Sequence, residues 1–230
     1  MKKDIIEEIK SRGYWRIVFE PTVYETKLSS VSECREVVEK CVVSLRGWDF
    51  PHLARRNDSS DGYQSFENYF QSWTDWESYK ELWRMYQSGQ FIFYKGLNED
   101  WHEKESIDSG TKFNIIGSGI YQLTEVYEFL NRLVSFGLYN EGVSVNVSLQ
   151  NTSGRKLWLS DPMRTGFWSE YKTGADKIEF AKTYTKEDIL NTSKDISLEN
   201  MLYVVDRFGW SNPAIETLAK DRDNLLTGRI

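Results

Sequence analysis

Residues 14–21 read YWRIVFEP, and the phase of this octet decides the fold. Trp15, Ile17 and Phe19 fall on one side of an extended chain, and Tyr14, Arg16 and Val18 on the other, which is the period of a β-strand. Pro21 lacks the amide that further pairing needs, so the strand ends there. Upstream, Ile5, Ile6 and Ile9 share one side of a short helix stopped by Gly13. Downstream, Val31, Cys34, Val37 and Val38 recur at helical spacing behind a serine-rich stretch suited to capping. Residues 41–45, CVVSL, read as the next strand. Strand, helix and strand in that order predict two neighbouring strands of one sheet, parallel if the connection is a right-handed crossover.

Further along, residues 55–62 (RRNDSSDG) are polar and turn-rich, an exposed loop. The run YQSFENYFQSW fits either period poorly and is taken as strand. Thr74-Asp75-Trp76-Glu77 has the pattern of a capping box, and Trp76, Tyr79, Trp83 and Tyr86 follow at helical spacing up to Gly89, predicting a helix. FIFYKG, apolar on both faces, belongs inside a sheet. Residues 99–108 are acidic and polar, a surface connection.

The clearest helix runs over 123–136, where Leu123, Val126, Tyr127, Leu130, Leu133 and Val134 form one stripe and Glu125, Glu128 and Arg132 lie outside it. VSVNVSL (143–149) alternates as a strand, residues 151–154 turn as a hairpin into RKLWLS, and 177–183 form a further strand. Leu198, Met201, Leu202, Val205 and Phe208 then mark a helical tail, and Asn212-Pro213 opens one more helix. No repeat of solenoid period is present. The expected fold is α+β: a mixed β-sheet with packed helices and a helical C-terminus, organised as a single domain over 1–230 or as subdomains 1–110 and 111–230.

The bulk composition narrows the function classes. Of 230 residues, 40% are hydrophobic and 28% charged, ordinary for a globular protein large enough to fold without metal or disulfide support. The formal charge of −6 gives no global attraction to nucleic acid or anionic membrane. No apolar run reaches the length of a membrane span, and the start MKKD leads into an amphipathic pattern rather than a signal-peptide core. Cys34 and Cys41 then read as reduced thiols in a cytoplasmic protein, and Asn57, Asn146, Asn151 and Asn191, all in glycosylation-type triplets, as chance matches. Aromatic content of 15%, with nine tryptophans, is the outlier: it predicts a rigid core with rings left over for surfaces.

Chemistry concentrates in residues 44–56, SLRGWDFPHLARR. If 42–45 is a strand, then 46–52 leaves its C-terminal end, where α/β sheets commonly bind ligands. Arg46 offers a planar fork for carboxylate or phosphate, Asp49 a base, and His52 an acid or base near neutral pH; Asp49 and His52 are the catalytic candidates. Trp48, Arg55 and Arg56 complete the set of ligand-binding candidates. The plainer reading is a structured corner, with Arg46 paired to Asp49, Trp48 on Pro51 and His52 satisfying a carbonyl.

Gly117-Ser118-Gly119 stands before a helix like a phosphate cradle, but Gln122 occupies the third glycine position of a dinucleotide fingerprint, so a plain loop into the helix fits as well. Two histidines, His52 and His102, and two cysteines cannot assemble a soft-ligand zinc set; Asp49, Asp75 and Glu77 make a conceivable magnesium site with no spacing that requires it. No cofactor is indicated. The segment WTDWESYKELWRMY would offer stacking rings and cations to a single strand, or form the buried face of a helix.

The run Arg46-Gly47-Trp48-Asp49-Phe50-Pro51-His52, with YWRIVFEPT before it and ELWRMYQSGQF after, resembles a set of uncharacterised bacterial proteins over most of the chain. The resemblance implies a bacterial cytosolic origin and brings neither activity nor site residues. The favoured expectation is a non-catalytic binding or accessory protein that recognises a partner protein or a small anionic ligand through the 44–56 loop. The alternatives are a metal-assisted phosphodiester or nucleotide hydrolase and a single-stranded nucleic-acid binder using Arg46, Arg55, Arg56 and the tryptophans.

Overall fold

In a computed structural model that describes residues 4–101 and 110–229, YWRIVFEP is strand β1 (Tyr14–Pro21), and it lies between two partners. On one side it pairs antiparallel with β5 (Phe91–Gly96), with Ile17 opposite Phe93. On the other it pairs antiparallel with β7 (Val143–Gln150), with Ile17 opposite Val147. The sheet continues through β4 (Lys80–Tyr86), β3 (Tyr69–Asp75) and β2 (Asp61–Ser65) on one flank and β9 (Lys177–Tyr184) on the other, in the order β2-β3-β4-β5-β1-β7-β9. A separate parallel pair joins β6 (Lys112–Asn114) to β8 (Lys156–Trp158). The architecture is α+β, as the hydrophobic phases predict.

Because side chains alternate along each strand, the register fixes what each face carries. Trp15, Ile17, Phe19, Trp83, Met85, Phe91, Phe93, Val145 and Val147 share one face and are buried. Helices α2 (Val31–Cys41), α3 (Gln122–Phe136) and α4 (Lys186–Arg207) contribute to the same core, with α3 presenting the expected stripe of Leu123, Val126, Tyr127, Leu130, Leu133 and Val134; Glu125, expected outside it, is buried as well, drawn in by Arg46. Short α1 (Ile5–Lys10) packs on β4 and β5, and α5 (Ile215–Leu226) follows α4. Among the described residues no helix is long and apolar enough to cross a membrane. Cys34 and Cys41 are free and buried, and burial pushes both thiols up to about 11.

Four expectations fail, each for a physical reason. Residues 42–45 are not a strand: Val43 and Phe50 exchange backbone hydrogen bonds (2.9 and 2.7 Å) across a tight loop, so there is no parallel crossover. The helix expected from Thr74 is the β3–β4 hairpin, with Trp76 and Tyr79 bonded reciprocally across Glu77-Ser78 (3.0 and 3.3 Å). Aromatic spacing there satisfies both periods, and rings packed on a pleated surface favour the strand. The true capping box is Thr185 with Asp188, at the start of α4. The turn at 151–154 does not return along β7, whose free edge is taken by β9; the chain instead carries β8 to β6. Of the stretch 99–108, Glu99 and Asp100 are buried rather than superficial, Asp100 against an equally buried Arg155; residues 102–109, with His102, lie outside the described residues.

These two threonines predict opposite outcomes. Thr185→Ala removes a cap and is expected to cost about 1 kcal/mol in urea denaturation. Thr74 is fully buried and its hydroxyl has no partner among the described residues, so Thr74→Val is expected to be neutral or stabilising. A Thr74→Val loss as large as that of Thr185→Ala would restore a capping role.

Candidate functional site

The loop after α2 is fastened from below at four points. Arg46 extends under the loop and grips Glu125 of α3 with both edges of its fork, Nε to Oε1 at 2.9 Å, while Nη1 donates to the Gly117 carbonyl (3.0 Å). Phe50 is buried edge-on against Phe93 and Phe129 (centroids 5.0 and 5.9 Å) and precedes a cis peptide bond to Pro51. The His52 amide donates to Glu81 Oε1 (2.6 Å), and the Trp83 indole N–H donates to the His52 carbonyl (2.7 Å). At the turn Gly47 takes φ of +75°, a left-handed conformation that side chains resist, and Ser44 donates to Asp49 (2.6 Å).

With its base held, the loop presents Trp48 outward, 52% exposed, yet stacked on Tyr79 (6.1 Å, 18°) and close to Trp76 (5.2 Å). Trp48, Asp49, His52, Arg55 and Arg56 line a cleft of about 540 Å³ together with Trp76 and Asp61. Five of the six residues singled out from sequence therefore meet. The sixth, Arg46, faces the other way, paired to Glu125 and not to Asp49, so no constellation of Arg46, Asp49 and His52 exists.

The cleft holds unpaired polar atoms. The His52 ring leans edge-on to Trp76 (4.8 Å), and its Nδ1 is buried without a partner among the described residues. Asp61 Oδ1 is likewise buried and unpaired; burial, then Asp58 nearby, hold this carboxyl above the usual carboxylate range. Arg56 pairs with Asp58 (2.8 Å) at the exposed rim, and Arg55 is exposed with no ion pair among the described residues. A second cavity, of about 450 Å³, is walled by Ile115, Phe167, Tyr171, Trp210 and Leu218, but its charged pair is closed: Arg164 holds Asp221 through two bonds (2.7 and 2.6 Å). Asp49, Asp75 and Glu77 do not gather; Asp75 pairs with Lys80, and among the described residues no group of three or more His, Cys, Asp or Glu could hold a metal ion.

The glycine pair at 117–119 lies in a π-helical turn, Ile115–Tyr121, and does not cradle phosphate. The Ile116 and Gly117 amides donate to Asn114 Oδ1, and the Ser118 carbonyl accepts from the Trp15 indole (2.7 Å).

Beneath the loop lies what the sequence reading missed. Glu81 and Lys95 stand opposite each other on the helix-covered face of β4 and β5, with Nζ to Oε2 at 3.7 Å. Tyr79 donates to the same Oε2 (2.6 Å), and the Lys95 ammonium sits 3.1 Å from the centre of the Tyr79 ring. Burial first, then Glu81, hold the Tyr79 phenol protonated far above its usual range. Burial, with Arg46 acting in the same direction, brings Lys95 down from 10.5 to about 8 against the pull of Glu81 and Glu125. The available signal was phase: Lys95 is in step with Phe91 and Phe93, an inward cation in an apolar strand. Comparison with protein-family models, with curated proteins and with solved structures finds no match to this chain.

Two measurements test this arrangement. Arg46→Ala leaves Glu125, only 3% exposed, without its cation, and is expected to cost about 3 kcal/mol, most of it recovered in Arg46→Ala/Glu125→Leu. For Lys95, the folded state holds the proton less tightly than the unfolded chain, so wild-type stability rises as pH climbs from about 8 toward 10.5 and its cost is fully present below that window. Across pH 7 to 9.5, wild type is expected to gain stability relative to Lys95→Met; a flat difference shows that this proton is not linked to folding.

Proposed function

We propose that the chain is a non-catalytic binding protein whose recognition surface is the cleft at Trp48, His52, Arg55, Arg56, Asp61 and Trp76. The ligand it suits is a small anion carrying a planar ring, or a partner protein presenting such a group. The observation that carries this reading is the half-exposed Trp48, held in a stack by a loop anchored at Arg46, Phe50 and His52. Interface energy concentrates in tryptophan and arginine, and a surface ordered before binding loses less entropy on contact. Arg55 and Arg56 supply cations at the rim, and the unpaired His52 Nδ1 and Asp61 Oδ1 are positions where a ligand's hydrogen bonds replace missing ones.

Hydrolysis of phosphodiesters fits less well, because the guanidinium expected to hold phosphate is spent on Glu125. The bacterial setting proposed for this role rests on the resemblance carried by residues 46–52, YWRIVFEPT and ELWRMYQSGQF, and the cytosolic setting also on reading Cys34 and Cys41 as reduced thiols.

The test uses 1-naphthyl phosphate as a ring-plus-anion probe and 1-naphthol as its neutral counterpart, followed by tryptophan fluorescence. Saturable quenching by the phosphate, at least tenfold weaker for naphthol and for Arg55→Ala/Arg56→Ala, and absent in Trp48→Ala, is the expected pattern. Quenching that survives Trp48→Ala, or no saturable response, ends the proposal for this cleft.

A further inference from the structure

The sheet face turned away from α2, α3 and α4 is a second surface, and its composition departs from that of the chain. By register it carries Tyr69 and Gln71 of β3, Arg84 and Tyr86 of β4, Tyr94 of β5, Tyr14 and Arg16 of β1, and Asn146 and Ser148 of β7. The four tyrosines, both arginines and Gln71 are all partly exposed. Helix α1 covers only one end, where Glu8 binds Lys80 (3.2 Å).

By register this face carries Arg16, Arg84, Lys80 and Lys177 against Glu20, Asp75 and Glu179, so its charge is near balance, and Lys80 and Lys177 are the cations tied to acids. Arg16 donates through Nε to the Tyr94 hydroxyl (3.4 Å), and Arg84 through Nε to Gln71 (2.7 Å) while lying 5.4 Å from the Tyr69 ring centre. Neither guanidinium pairs with a carboxylate among the described residues, so the outer nitrogens of both forks are available. The nearest acids are spoken for: Glu20 accepts from Gln90 (2.5 Å), and Glu179 from Lys177 (2.6 Å) and Asn146 (3.2 Å). Asn146 Oδ1 is buried with no partner among the described residues.

The geometry points to a binding platform for single-stranded nucleic acid across β3, β4, β5, β1 and β7. Five strands at sheet spacing span about 19 Å, room for the two or three stacked bases that an open sheet accepts. Tyr94 and Tyr14 supply the stacking faces, Arg16 and Arg84 meet phosphates, and Gln71 and Asn146 offer hydrogen bonds to base edges. This platform is separate from the Trp48 cleft and uses none of its residues. Two phosphate contacts on an acidic protein make for weak, salt-sensitive binding.

The experiment is fluorescence anisotropy of labelled oligouridylate and oligothymidylate with the full chain at low and raised salt. Binding of either oligonucleotide is expected. Arg16→Gln/Arg84→Gln is expected to lower the slope of log affinity against log salt by about 1.4. Tyr94→Ala is expected to weaken binding roughly tenfold or more. Tyr94→Phe, which keeps the ring, is expected to bind within about twofold of wild type, which separates lost stacking from lost fold. Arg55→Ala/Arg56→Ala leaves binding unchanged. Four results overturn the platform: no binding at low salt, equal binding of duplex, loss of binding in the Arg55/Arg56 variant, or capture of the neutral sugar cellohexaose with no response to either oligonucleotide.

Discussion

Glu81 carries a carboxylate with no exposed surface, and both of its oxygens are engaged: Oε1 by the His52 amide, Oε2 by the Tyr79 hydroxyl, with the Lys95 ammonium close by. Ionised groups withdrawn from water are costly unless donors surround them, so Glu81 stays in place only while loop, hairpin turn and β5 keep their relative positions. The same bonds set the height at which the loop rides over the sheet. Trp48 stacks on Tyr79 because Tyr79 is pinned to Glu81, and the cleft takes its shape from that stack. Arg46 and Glu125 close the other end of the loop onto α3.

Much of this was legible in the residues where burial and period agree. β1, β7, β9 and the α3 stripe have single readings, because their apolar positions match one period only, while β5 reads as a strand because its short run is apolar on both faces. The β3–β4 hairpin was not legible, because Trp76, Tyr79, Trp83 and Tyr86 satisfy helical spacing while Phe70, Trp83 and Met85 satisfy alternation. Thr74-Asp75-Trp76-Glu77 imitates a cap, and local chemistry of that kind yields to tertiary pairing when aromatic rings gain a sheet to pack on. The cleft was half legible. Residues 46–56 announced themselves by composition, but Asp61 and Glu81 come from strands, and Trp76 from the β3–β4 turn, whose pairing no local signal specified. Arg46 illustrates the limit: its nearest acid in sequence is Asp49, and the acid it binds is Glu125, 79 residues away.

The aromatic surplus divides between two tasks. Trp15, Trp83, Phe19, Phe91 and Phe93 are sealed beneath the helices, where ring geometry makes one packing preferable to others. Trp48, Trp76, Tyr14 and Tyr94 stand at surfaces, each already in contact with another ring or a polar group. Rings of the second kind lose little freedom when something settles on them.

The two outermost strands bear on how this molecule behaves when crowded. Among the described residues β9 leaves one side of its backbone without a strand partner, and Lys177, Lys182 and Thr183 are exposed along it; at the opposite margin β2 is only five residues long. Protruding ammonium groups and a short margin both discourage another chain from adding itself to the sheet. A seven-stranded sheet rich in aromatic residues offers two margins for self-association, and the character of each disfavours strand addition there.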